Sequence, residues 1–93
     1  MNNDTLLMVD GTSKQVAPKN GTDYSLDELQ GFVDGLIEIV SSPDGEQIMV
    51  LNEEGLLLDL EINHEASMLY HEWGYRDGLI VGNVLVTASE KVK

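Results

Sequence analysis

Residues 51–66, LNEEGLLLDLEINHEA, decide how this chain is divided into strands and helices. Asn52 can hydrogen-bond its own turn and Gly55 can supply a positive φ. NEEG therefore predicts a type I turn with a bulge, joining strands IMVL (48–51) and LLLDL (56–60) in an antiparallel hairpin. Asn63 follows as an N-cap, so HEASMLYHEW predicts a helix with Ala66, Leu69, Tyr70 and Trp73 on its buried stripe. Gly74 is placed to stop it.

The same signals extend in both directions. TLLMVD (5–10) and KQVAP (14–18) predict short strands, the second ending at Pro18, which cannot donate a ladder bond. SLDE carries a capping box between Ser25 and Glu28. Leu26, Leu29, Phe32 and Val33 then fall on one helical face, with Gly35 placed to end the helix. LIEIV (36–40) is a strand followed by turn chemistry at Pro43, Asp44 and Gly45. LIVGNVLVT (79–87) is the longest predicted strand, with Gly82 marking a bulge or a close backbone approach. The order β-(β)-α-β-β-β-α-β predicts a single α+β domain over 1–93, with two helices on one face of a small mixed or antiparallel sheet.

Composition bounds function. Hydrophobic residues make up 42% of the 93, enough to bury a core, and there is no cysteine for disulfides or thiolate metal sites. MNNDTLLMVD lacks a basic n-region, and no stretch approaches the ~20 apolar residues of a membrane helix. A soluble protein of a reducing, cytoplasmic setting is expected. Charge is the sharpest signal, at a formal −12. Asn20 to Tyr75 holds thirteen acids and neither Lys nor Arg. Nucleic-acid binding and docking on anionic membranes both rest on cations, so both are poorly supported.

No catalytic or metal motif rises above background. His64 and His71 are seven residues apart, about 10.5 Å of helix rise and too far to share an ion. Asp59 and Glu61 would share a strand face, but without a calcium loop around them. Arg76 is expected to pair with Asp77 or Glu72. No cofactor is expected, and the residues point away from an enzyme. A negative face of Glu53, Glu54, Asp59, Glu61 and Glu65 is the candidate for partner binding. Ser25 and Asn63, at helix N-termini, with Arg76, form an alternative site for a phosphate-bearing ligand. A small core and the exposed edge of a long apolar last strand favour homo-oligomerisation, most simply a two-fold dimer.

The runs APKNGTDYSLDELQGFVDGLIEIV, IMVLNEEG, INHEA and DGLIVGNVLV are similar to the small proteins grouped as domain of unknown function 3846. The resemblance spans roughly Val16 to Val86. A glycine pair before the second strand is typical of the group; here Asp34 precedes Gly35. The resemblance implies a setting in phages and other bacterial mobile elements, often near anti-restriction genes, and assigns no catalytic residue. The expectation is a non-enzymatic accessory protein that binds and inhibits a basic host defence protein, such as a nuclease, as an acidic nucleic-acid mimic. The alternative is an oligomeric small-molecule binder that sequesters a nucleotide immune signal.

Overall fold

A computed structural model describes residues 4–92. Strands β1 (Asp4–Leu7) and β2 (Ser13–Val16) precede helix α1 (Leu26–Val33). Strands β3 (Ile37–Ser41) and β4 (Gln47–Asn52), helix α2 (His64–Glu72) and strand β5 (Val84–Ala88) follow, with a 3-10 turn at Ser89–Lys91. The five strands form one sheet in the order β2-β1-β5-β4-β3, and every neighbouring pair is antiparallel. The α+β class is that predicted.

The helices pack on opposite faces of the sheet, not on one as expected. Leu6, Ile48, Val50 and Leu85 meet Leu29 and Val33 of α1 together with Tyr24. Met49, Leu51 and Val84 point the other way and meet Ala66 of α2 and Ile80. This explains the unbroken apolar run IMVL. A strand covered on both faces has no solvent side to fill with polar residues, so alternation disappears. Each side chain buried this fully contributes about 1.5–3 kcal/mol.

LLLDL is not a strand. Leu58 N–H bonds back to the Glu54 carbonyl at 2.9 Å, closing one helical turn. Asp59 then takes the left-handed conformation at φ 59°, while the N–H groups of Asp59 and Leu60 reach the carbonyls of Leu56 (3.2 Å) and Gly55 (3.0 Å). This is the Schellman ending of a helix. The three leucines are good helix formers without β-branching, so nothing local opposes the turn. The left-handed residue is thus Asp59, not Gly55.

Gly55 is needed for space instead. A Cβ there would lie 2.7 Å from Val81 Cγ2. Gly82 has φ +79°, and its Cβ would fall 2.8 Å from Leu60 Cδ1, the close approach its position suggested. Gly82 also shortens the last strand: 79–83 leaves the sheet and pairs instead with 61–63, through the Ile62–Val81 bridge, Asn63 N–H to the Ile80 carbonyl and Gly82 N–H to the Glu61 carbonyl, both 2.8 Å. The remaining β5 lies at the centre of the sheet between β1 and β4, so it offers no edge for a second copy. Among the described residues the open edges belong to β2 and β3.

Both predicted caps are present. Ser25 Oγ accepts from Glu28 N–H at 3.1 Å, and Glu28 accepts from Ser25 N–H at 2.9 Å. Asn63 Oδ1 accepts from Ala66 N–H at 3.0 Å, and α2 ends at Trp73 before Gly74. α1 ends through Asp34, at φ 61°, with Gly35 N–H bonded to the Gln30 carbonyl at 3.1 Å.

Candidate functional site

Two buried asparagines fix the segment that carries the acidic residues. Asn52 Nδ2 donates to the Val33 carbonyl at 3.1 Å, tying the end of α1 to the end of β4. Its Oδ1 accepts from Glu54 N–H at 2.7 Å and sets the start of the 53–59 turn. Gly35 leaves room for this side chain, since a Cβ there would sit 2.7 Å from Asn52 Nδ2. Asn63 is fully buried and donates to the carbonyls of Leu7 (3.0 Å) and Gly82 (2.8 Å). The turn between them is thereby held at both ends.

On that frame the turn displays Leu56, Leu57 and Leu58, exposed to 78%, 86% and 55%. Burying them against the sheet is prevented by the helical turn, which points the run outward. Glu53, Glu54, Asp59 and Glu61 are exposed around the same run, and Glu65 is exposed on the first turn of α2. The result is an apolar tip with an acidic rim. Beside it lies a groove of about 490 Å3 lined by Val40, Leu51, Leu56, Leu57, Tyr70 and Leu79, with Glu38 and Glu53 among its walls. Tyr70 stacks on Tyr75 with ring centroids 4.6 Å apart and planes 6° from parallel. LLLDL reads as a strand face in the sequence, which hides the leucine tip; three successive leucines followed by Asp59, a residue type that tolerates the left-handed region, are its signal.

The other candidate residues are dispersed. Asp59 and Glu61 do not share a strand face, because Asp59 sits in the left-handed turn. Ser25 and Asn63 cap helices on opposite sides of the sheet. At α1, the Glu28 carboxylate already occupies the N-terminus, accepting from Ser25 N–H and from Lys19 N–H at 3.0 Å. Those backbone donors hold its carboxyl below the usual range. Asn63 spends its amide on the fold.

Arg76 is exposed, and no ion pair joins it to Asp77 or Glu72 among the described residues. Lys91 forms an ion pair with Asp4, at 3.1 Å to both carboxylate oxygens. Tyr24 donates its hydroxyl to Asp4 at 2.6 Å, and burial and the adjoining carboxylate push its phenol well up. His64 and His71 are exposed, and His71 Nε2 lies 3.2 Å from the Gly78 carbonyl. Among the described residues no three His, Asp or Glu side chains gather where one metal could be held. No helix among them is long and apolar enough to cross a membrane.

A family model for a domain of unknown function, DUF3846, matches residues 4–92. The chain belongs to that family. Asp34 falls where α1 needs a left-handed residue, a conformation glycine adopts freely and Asp tolerates. No curated protein and no solved structure matches the chain.

Proposed function

We propose that this DUF3846 protein is a non-enzymatic binding protein whose leucine-tipped, acid-rimmed turn docks a basic partner protein. The observation that carries the reading is the outward display of Leu56–Leu58 on a turn pinned by Asn52 and Gly55. Contiguous exposed apolar residues with a polar rim mark interaction surfaces rather than solvated loops. The formal −12 supplies steering for a cationic partner. In the mobile-element setting that the family resemblance implies, that partner is a host defence protein. Carboxylates then stand where its nucleic-acid phosphates would lie, and occupation inhibits it.

The test is capture from bacterial lysate on immobilised protein, comparing wild type with Leu56→Ser/Leu57→Ser and with Glu53→Gln/Glu54→Gln. The reading expects a cationic protein retained by wild type and reduced on both variants. Equal retention on all three would remove it.

A further inference from the structure

The sheet has an open edge beside this face, and its backbone pattern says how a partner could use it. Among the described residues, β3 pairs only with β4. The bonds bracketing that ladder are Glu53 N–H to the Leu36 carbonyl and Ser42 N–H to the Gln47 carbonyl, both 2.8 Å. Even-numbered residues of β3 therefore turn their backbone groups toward β4, and Ile37, Ile39 and Ser41 turn theirs outward. Tyr75 confirms the parity at one end, its hydroxyl donating to the Ser41 carbonyl at 2.7 Å. The groups of Ile37 and Ile39 have no partner among the described residues.

The one charged residue on β3 is Glu38, which repels an acidic strand and admits a basic one. The β3 sequence, IEIVS, has no lysine and no proline, whereas edge strand β2, SKQV, has Lys14 and is followed by Pro18. Ile39 is 44% exposed on the α1 side, where a neighbouring strand would cover it. On the α2 side Glu38 and Val40 form part of the groove wall.

We propose that an extended basic segment of the partner adds to β3 as a sixth strand, placing a Lys or Arg beside Glu38 and apolar residues beside Ile37 and Ile39. This rests on the docking role proposed above and specifies its mode, strand addition with main-chain bonds for affinity and alternate side chains for specificity. Charge selects the occupant. Glu38 and Glu53 line the groove without a basic residue among its walls, and a second copy would bring its own Glu38 and another −12. The stacked Tyr70–Tyr75 pair closes the Ser41 end, so the added strand runs along Ile37–Ile39.

The probe is the capped peptide Thr-Val-Lys-Val-Lys-Thr, titrated into the full chain at low salt with amide hydrogen exchange as readout. Strand addition protects the outward amides of Ile37 and Ile39 at least tenfold beyond any change at Glu38 and Val40. N-methylating the peptide amides that face β3 weakens binding at least tenfold, while methylating the alternate set does not. Ile39→Pro gives the same loss and leaves the protein folded, its N–H serving no bond in the sheet, with a lower melting temperature from the lost packing of the Ile39 side chain. Equal affinity of both methylated peptides, binding without protection, or no binding would overturn strand addition. Protection that rises with protein concentration without peptide would assign the edge to a second copy and overturn the basic occupant. Failure of the docking role is separate: Glu53→Gln/Glu54→Gln and Leu56→Ser/Leu57→Ser would then retain the lysate partner as wild type does.

Discussion

At Asp34 the backbone sets the requirement and the side chain merely tolerates it. A non-glycine residue in the left-handed region costs about 1–2 kcal/mol, somewhat less for Asp, whose carboxylate can bond locally. Asp34→Gly should therefore stabilise the protein by about 0.5–1 kcal/mol in urea denaturation, the greater freedom of glycine when unfolded offsetting part of the gain. An unchanged or lower midpoint would mean that the Asp34 side chain supports the α1 ending. Asn63 is the opposite case, a polar side chain that the fold cannot lose. It satisfies one N–H and two carbonyls from three separate segments. Asn63→Ala should cost about 2–4 kcal/mol, combining a lost cap with buried carbonyls left unpaired. A loss under 1 kcal/mol would show that water replaces it.

At the scale of elements, the 53–59 turn separates stability from display. Leu57 touches little, so Leu57→Ser should move the melting midpoint within experimental error, as exposed substitutions do. Gly55→Val should cost about 1–3 kcal/mol through collision with Val81, not through a forbidden φ. Equal melting of Gly55→Val and wild type would contradict the packing described. The contrast also shows what the sequence made legible. Caps at Ser25 and Asn63 were readable because capping is local chemistry, complete within four residues. The acids were readable as a sign of charge. The leucine turn was not, because LLLDL has apolar residues at both strand and helix spacing, and the choice rests on Val81 and Gly82, more than twenty residues away. Placement of the helices on opposite faces was written in the unalternating IMVL, but a short apolar run alone does not distinguish a doubly covered strand from a buried helix.

For the whole molecule, the network of Tyr24, Asp4 and Lys91 ties the approach to α1 to β1 and the chain's last turn, with Tyr24 N–H also bonding the Lys91 carbonyl at 2.9 Å. Its phenol is raised by burial and by the Asp4 carboxylate, so folding favours the protonated form. The resulting stability is complete below the unfolded tyrosine pKa, about 10, and is lost as pH rises above it. Urea midpoints between pH 8 and about 11 should fall, and Tyr24→Phe should flatten that decline. The Glu28 carboxyl works in the other direction. Its folded pKa is lowered, so its contribution is present above the ordinary glutamate value and is lost as pH falls through the folded one. A parallel alkaline decline in Tyr24→Phe would assign it to other groups.

The acidity of the leucine-tipped face matters chiefly before contact, because exposed charges steer encounter more than they hold a complex together. The most direct measurement is the association rate of the captured partner with wild type and with a variant carrying Glu53→Gln, Glu54→Gln, Asp59→Asn and Glu61→Gln. Rates are taken from 0.1 M to 1 M salt, over which the Debye length falls from about 10 Å to about 3 Å. A docking face predicts that wild type associates at least tenfold faster at low salt and that the two converge at high salt. Equal rates at every salt concentration would contradict it and leave the acids as a solubility device.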